Sequence, residues 1–495
     1  MMGARHRIRR TAGAALVLLA LSACGSRLDP ATVADAAGQG GTTGEVSAAG
    51  GDTGLPAGEA PAAGDVPAAG EAPAAGTAGD PGAPAASPGA GGAPSGGGGK
   101  SKGKGSPTGT AKAGSCEGFK NQTGITDSTI TLANVSDISG PVPGIFESAQ
   151  QATRAYVEYF NSQNTICGRK LSLVNLDSRA DAGADQQAYV KACTDAFAAV
   201  GSMSAFDSGG AATASSCGIP DIRSTIVNPE RQACKSCLGT YSIRTNLISD
   251  PAAKWLAAKY PDAVKNAAFL YINAGAAPVN AKSLAAGYEK AAGWSAKYIQ
   301  GIDVAEFNFA PYVQQMKDKG IRAVIYYGPY QNTVKLQQAM QQQGFKPDFY
   351  MQDPTIYDKR YVQQAGAVAE GTYVFSPNDL FENKSNPEVQ LYLSWLQQVK
   401  PGAIPNYYGL FAWSAARLFV EKATALGGKL TRASLVDAVR ATTAWTGNGA
   451  HTAMNLSTGA TPPCLKMLQF SGGQWSQVSS GTYLCGSVVD SGIGG

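Results

Sequence analysis

The groups that could do chemistry are few and oddly distributed. The 495 residues include nine cysteines and only two histidines. His6 lies in a basic N-terminal stretch, which leaves His451, in the loop-like run after Gly449. A single histidine excludes multi-histidine metal centres. It also argues against a Ser-His-Asp or Cys-His relay. His451 itself reads as a surface residue, and no spaced carboxylate pair stands out for acid–base work. The residues therefore predict no enzyme, no metal and no cofactor.

Cys116, Cys167, Cys193, Cys217, Cys234, Cys237, Cys464 and Cys485 fall in the second part of the chain. An even count in an exported chain reads as disulfides. Sequence alone leaves the connectivity open. Nearest-neighbour pairing is the expectation: Cys116–Cys167, Cys193–Cys217, Cys234–Cys237 and Cys464–Cys485. "CKSC" (Cys234–Cys237) could instead be a redox pair or half a zinc site. It follows Pro229 and precedes Gly239, which reads as a loop, and no second C-x-x-C exists, so a local disulfide is favoured. "GGGGKS" (Gly96–Ser101) imitates the end of a phosphate-binding loop. The first glycine of that motif would fall on Pro94, with no strand before it and no apolar helix after it, so the match is discarded.

The ninth cysteine, Cys24, closes "LVLLALSAC". Arg5, Arg7, Arg9 and Arg10 precede a short apolar run from Ala12 to Ala23. That pattern is a secretory signal peptide, too short for a comfortable membrane span of about 20 residues. "LSAC" resembles the lipobox of bacterial lipoproteins. The resemblance implies cleavage before Cys24 and a diacylglyceryl group on its sulfur, with palmitate-type acyl chains. An ordinary signal with a chance cysteine is the alternative. Arg9-Arg10 leaves the export route, general or twin-arginine, open.

From about Asp29 to Gly114 the chain is almost wholly Gly, Ala, Pro, Ser and Thr, with "EAPAAG" and "DVPAAG" repeats. Such a stretch cannot bury enough apolar surface to offset its ordering entropy. It is expected to be a disordered tether spanning about 50 Å on average. The rest of the chain is large for one core and suits two lobes. A net charge of +4 gives no basic face for nucleic acid.

The elements alternate. Strands are predicted at 128–136, 168–177, 197–203 and 219–222, with helices at 147–163, 184–197 and 208–218 between them. The pattern restarts with strands at 266–273, 295–302, 323–328, 348–352 and 371–377 and intervening helices. Two long helices, Tyr407–Leu426 and Thr431–Ala441, precede a β segment whose turn is "SGGQ". Alternating strands and helices imply parallel sheets, and ligands of such sheets bind beyond the carboxyl ends of the strands.

The stretch "ITLANVSDISGPVPGIFESAQQATRAYVEYFNSQNTICGRKLSLVNLDSRAD" is similar to the opening of type I periplasmic solute-binding proteins. The leucine/isoleucine/valine-binding branch is the nearest. "VGSMSA", "GIP", "IVNPE", "IYYGPY" and "GFKPDFYMQD" follow in the family's order, so the resemblance runs over Thr126–Gly449. It implies an α/β, two-lobed type I periplasmic-binding-protein fold, with parallel sheets flanked by helices and a cleft between the lobes. It also implies hinge closure on a small-molecule ligand and delivery to an ABC permease. The expected boundaries are 1–23 for the signal and 24–115 for the tether. The N-terminal lobe spans 116–245 plus about 376–445, and the C-terminal lobe 246–375 plus about 446–490.

Carried over residue by residue, the resemblance implies a first-turn contact within Ser139–Phe146, where Ile145 or Phe146 stands for an aromatic wall. It places Ser204 or Ala205 at a strand end, with Asp207 close by. Ile226 and Val227 align with the small residue and threonine that hold an amino-acid backbone. Ser224 and Thr225 are then the available hydroxyls. A helix-starting tyrosine is replaced near Ala277. Tyr327 or Tyr330 keeps the second aromatic position, with Tyr326 and Tyr327 on opposite faces of their strand. Asp353 stands near the acid that meets an ammonium. The altered clamp predicts an amide, aromatic or apolar metabolite at least as readily as leucine, isoleucine or valine.

The reading that results is a monomeric solute-binding subunit of an ABC importer, lipid-anchored on the outer face of the membrane. A ligand sensor signalling to a membrane receptor is the second reading, and an extracytoplasmic enzyme the third.

Overall fold

The computed structural model describes residues 112–494. Cys24, the apolar run before it, the repeats and "GGGGKS" lie outside the described residues. The first alternation comprises β1 (Thr129–Ser136), α1 (Glu147–Gln163), β2 (Lys170–Asp177), α2 (Ala182–Asp195), β3 (Ala198–Val200), α3 (Ala211–Cys217), β4 (Asp221–Ile226), α4 (Pro229–Ala233) and β5 (Cys237–Ser242). The second comprises β6 (Leu247–Ser249), α5 (Pro251–Lys259), β7 (Ala267–Ile272), α6 (Ala277–Ala292), β8 (Ala296–Ile302), α7 (Ala310–Asp318), β9 (Ala323–Tyr327), α8 (Tyr330–Gln342), β10 (Phe349–Gln352), α9 (Lys359–Ala365) and β11 (Tyr373–Ser376). Then follow α10 (Pro387–Val399), α11 (Tyr407–Leu426), α12 (Arg432–Arg440), β12 (Cys464–Ser471), β13 (Gln474–Gln477), β14 (Leu484–Cys485) and β15 (Val488–Asp490).

The strands form two main sheets, one per lobe. The first runs β2-β1-β3-β4-β5 and is parallel throughout. The second runs β13-β12-β11-β10-β9-β7-β8, parallel from β11 to β8. Its late strands β12 and β13 join antiparallel. In the "SGGQ" turn Ser471 pairs with Gln474, so two residues must reverse the chain. Gly472 (φ 60°) and Gly473 (φ 86°) supply the positive dihedrals that such a hairpin requires.

Eight elements exceed the sequence reading (α4, β5, β6, α5, α9, α10, β14 and β15), and two of them show why. β5 is buried along its whole length, but "CLGTYS" carries no apolar run to announce it. α10 begins at Asn386-Pro387, where Asn386 Oδ1 accepts from the amides of Glu388 and Val389. A cap with proline at the first helical position is a helix start hidden inside a polar stretch.

α11 explains how the first lobe holds together. Fourteen of its 20 residues are buried, so it is apolar on nearly all sides, as a helix enclosed in a core must be. Trp413 packs edge-on to Tyr156 of α1 at 4.7 Å. Its indole N–H donates to Glu388 Oε1 at 2.7 Å, and Arg417 neutralises that carboxylate at 3.0 Å. The chain passes between lobes three times, after β5, after β11 and before β12. Trp445, Ala450, Met454 and Leu456 belong to the first lobe's core, so the last passage lies after Leu456 and not near 446 as expected.

The eight cysteines of the described region form Cys116–Cys167, Cys193–Cys217, Cys234–Cys237 and Cys464–Cys485. The "CKSC" pair lies in a helix-to-strand turn, as the loop reading expected. It joins the end of α4 to the first residue of β5, and both cysteines are buried. No helix among the described residues is long and apolar enough to cross a membrane.

Candidate functional site

A cavity of about 250 Å³ opens between the lobes. It lies where both sheets end: β1 runs into Asp137, β4 into Val227, β7 into Ala274, β9 ends at Tyr327 and β10 runs into Asp353. Its first-lobe wall is Val142, Ile145, Phe146, Met203, Ala205, Phe206 and Val227. Its second-lobe wall is Ile272, Ala274, Ala276, Ala277, Val304, Tyr327 and Pro329. A smaller chamber of about 60 Å³ adjoins it behind Ile243, Asn280, Tyr327, Asp353 and Tyr408, which line both. Leu284, Tyr288, Phe375 and Leu465 close that rear chamber.

The walls are hydrocarbon and aromatic, the lining expected of a small-molecule site. No lysine, arginine or histidine lines either chamber. Two carboxylates do, and they differ. Asp137 is fully used: Oδ1 accepts from Ser178 Oγ (2.6 Å) and Ala180 N (3.0 Å), and Oδ2 from Ala205 N (2.9 Å). It therefore ties together the loops after β1, β2 and β3. Asp353 accepts from the Thr355 amide at 2.9 Å and makes no ion pair among the described residues. Burial pushes its pKa up to about 6, against the pull of its bonds from Thr355.

Of the residues the sequence nominated, the cavity gathers Ile145, Phe146, Ala205, Tyr327 and Asp353. Val227 also reaches it, while Ile226 packs inside the first lobe. Tyr326 and Tyr327 do separate: Tyr326 joins the core on the sheet's other face.

The other nominated residues stand elsewhere. Ser139 is exposed and donates to Asp177 Oδ2 at 2.6 Å. Ser204 Oγ accepts from the Phe206 amide, shaping the turn rather than facing a ligand. Ser224 Oγ donates to the Tyr408 carbonyl at 2.8 Å, and Thr225 is buried within β4. Tyr330 begins α8 with its ring under the Arg360 guanidinium at 5.4 Å.

Asp207 is buried beneath the wall, accepting from Val227 N (3.3 Å) and Asn228 Nδ2 (2.7 Å). It belongs to an enclosed ionic cluster. Arg231 meets Asp185 at 2.9 Å and Asp221 at 3.0 Å, and Arg223 meets Asp221 at 3.3 Å. Burial pushes Asp185 up to about 6 despite Arg231. Removing one member of such a cluster strands a buried charge, which costs about 3–5 kcal/mol.

His451 corrects the surface expectation: it is 2% exposed and stacks on Phe411 at 4.6 Å. Nδ1 lies 2.8 Å from the Thr452 carbonyl, which can only accept, so Nδ1 carries the proton of the neutral ring. Nε2 then accepts from Ser414 Oγ at 2.8 Å, whose oxygen in turn receives the Trp445 N–H. Burial lowers the imidazole pKa to about 4. Among the described residues no carboxylate bonds this serine–histidine pair, and it lines neither chamber.

Sequence reasoning missed Tyr408, Thr355 and Asn280. Tyr408 reaches the site because α11 starts there, with Asn406 Oδ1 capping the Gly409 amide at 3.1 Å. Its ring packs edge-on to Phe146 at 4.6 Å. The small-residue run "NAGAAPVN" before and into α6 was the available signal for Asn280: alanines at a helix start leave room for something else.

Two α/β lobes joined by three connections enclose an apolar cleft at the strand ends, the architecture of a two-lobed binding protein. Residues 129–474 match the sequence profile of the family described as periplasmic binding protein, and the chain belongs to that family. No curated protein matches the chain significantly. Among solved structures, the chain is similar to a fatty acid ABC transporter substrate-binding protein from Thermomonospora curvata (17% identity, 75% of this chain and 95% of that one, TM-score 0.65). It is also similar to an R. palustris ABC transporter solute-binding protein in complex with 4-hydroxybenzoate (17%, 72% and 98%, TM-score 0.62). A third is the branched-chain amino acid transporter substrate-binding protein LivJ from Streptococcus pneumoniae in complex with isoleucine (16%, 71% and 100%, TM-score 0.61). At these identities the likeness is one of fold.

Proposed function

We propose that the chain is the solute-binding subunit of an ABC importer, held to the outer face of the membrane through lipid on Cys24. The signal peptide (1–23) and tether (24–115) would place the two lobes within reach of a permease. The cavity between the lobes carries this reading, because a ligand seated there touches both sheets and favours their closed arrangement. Ile145, Phe146, Ala205, Tyr327 and Asp353 are its proposed contacts from the sequence reading, and Asn280, Thr355 and Tyr408 are added by the cleft. Support comes from family membership and from the substrate-binding proteins that share the fold.

A thermal-shift screen of the purified protein against amino acids, amides, amines and aromatic or aliphatic acids tests it, since a ligand bound only by the folded state raises the melting temperature. At least one class should do so at micromolar to millimolar concentration. Replacing Tyr327 or Asp353 by alanine should abolish that shift, and a shift that survives both places the ligand elsewhere. Cys24→Ser should move the protein from the membrane to the soluble fraction, and retention in the membrane would refute the anchor.

A further inference from the structure

A second opening lies on the first lobe's side of the hinge. It is a crevice of about 60 Å³, room for several waters. Gly239, Ser242 and Arg244 wall it, with Arg440 at the end of α12 and residues 457–459. It shares no lining residue with either chamber of the cleft. Arg244 lies on the first passage between the lobes and residues 457–459 on the third. Arg244 joins the two passages: its amide donates to Thr461 Oγ1 at 3.0 Å and its Nη1 to the Thr458 carbonyl at 3.1 Å.

The lining is that of an anion receptor. Two arginines line the crevice, and among the described residues no carboxylate does. Neither arginine makes an ion pair with a described residue. Arg440 donates to the Lys235 carbonyl. Arg244 is bonded at one of its three side-chain nitrogens, and its Nη2 is neither bonded nor enclosed. Ser242 is 2% exposed, yet its Oγ is neither hydrogen-bonded nor enclosed, so the hydroxyl opens into the crevice. A Cβ on Gly239 would lie 2.8 Å from that oxygen and one on Gly459 3.9 Å. The two glycines thus leave the approach to it clear. A buried hydroxyl without a partner is uncommon in a folded protein and calls for one.

We infer that the crevice binds a compact divalent oxyanion, phosphate or sulfate, as the free ion or as the end of a small ester. Arg244 and Arg440 supply the positive charge, and Ser242 Oγ donates to a further oxygen. A tetrahedral ion presents oxygens in several directions, as donors on separate walls require. A carboxylate carries one charge and two oxygens, which a single guanidinium takes up in a fork, leaving the second arginine unmatched. A nucleotide exceeds the space. An ion held there braces the first and third passages against each other. The site does not rest on the solute-binding reading.

Calorimetric titration of the full-length protein with phosphate, sulfate and glycerol 3-phosphate at pH 7.5 tests this. Ionic strength is held fixed with chloride, so that bulk screening is constant. Phosphate or sulfate should bind saturably, one per chain, at submillimolar to millimolar concentration. Arg440→Gln, at an exposed position, and Arg244→Gln should each weaken binding about tenfold or more, and Ser242→Ala about threefold. Hydrogen exchange should slow at 242–244 and 457–461 in saturating phosphate. Glycerol 3-phosphate binding more tightly than the free ion, with the same loss in the variants, supports the site and makes an ester its occupant. Absence of saturable binding, binding that survives both arginine variants, or protection confined to other segments overturns the inference. If Arg244→Gln fails to fold, Arg440→Gln and the exchange map decide.

Discussion

The Tyr408 hydroxyl lies 3.1 Å from the Thr355 hydroxyl, joining α11 of the first lobe to the turn after β10 of the second. Thr355 also holds the Asp353 carboxylate through its own amide. A side chain that faces the cavity and a contact that keeps the lobes together thus share one residue. Removing the Tyr408 hydroxyl (Tyr408→Phe) should cost about 0.5–1.5 kcal/mol of closure. It keeps the ring against Phe146. Ligand affinity should fall about 3–10-fold with the melting temperature of the free protein within a few degrees, as read by titration and thermal unfolding.

Gly275 sets the second lobe's backbone close against Ala205 of the first. A Cβ placed there would sit 2.7 Å from the Ala205 carbonyl oxygen, and its φ of +53° already disfavours a side chain. Gly275→Val should hold the lobes apart. Small-angle scattering with saturating ligand should then show a larger radius of gyration than the wild type, and affinity should drop more than tenfold.

Asp353 trades stability for a free carboxylate. Burial raises its folded pKa from 3.8 to about 6, so the folded state binds the proton more readily than the unfolded chain. The benefit is complete below pH 3.8 and is lost as pH rises through 6. Above that the charged group costs about 1–2 kcal/mol, allowing for its contact with the cavity. Asp353→Asn should therefore stabilise the empty protein at pH 7.5 and do nothing near pH 3.5, in denaturant titrations at both values.

His451 works the other way. Its folded pKa of about 4 lies below the ordinary 6.5, so the unfolded chain takes the proton first. Its contribution is intact above pH 6.5 and drains away as pH falls to 4, by about 3 kcal/mol. Because Asp353 and Asp185 run in the opposite sense over part of that window, the histidine shows only by difference. His451→Gln should flatten the difference in unfolding free energy between pH 7 and pH 4.5 relative to wild type.

Much of the scaffold was legible because its signals are local. Alanines and aromatics at helical spacing mark α1, and apolar runs such as "AFLYI" and "AVIYY" mark the central strands. β5 escaped because its burial comes from its neighbours and not from its own side chains. The site divided in the same way. Tyr327 and Asp353 lie at strand ends, where topology alone sends a ligand, and both reach the cavity. Ser224 and Asp207 also sit at or near strand ends, yet their polar atoms are consumed by the Tyr408 carbonyl and by a buried ionic cluster. Whether a hydroxyl or carboxylate is free depends on partners far away in the sequence, and Asn280 became visible only once the cavity around it was.

The described chain enters the first lobe beside α11. The Gly114 amide donates to the Thr424 carbonyl and the Gly428 amide to Ser115, and Cys116 is stapled to Cys167. Tyr408 and Thr424 stand 16 residues apart on one helix, about 24 Å at 1.5 Å per residue. The described chain therefore joins one lobe only, at the end of α11 remote from the cleft. If the proposed anchor and closure hold, the first lobe would be the fixed jaw and the second would do the travelling, with the mouth left clear.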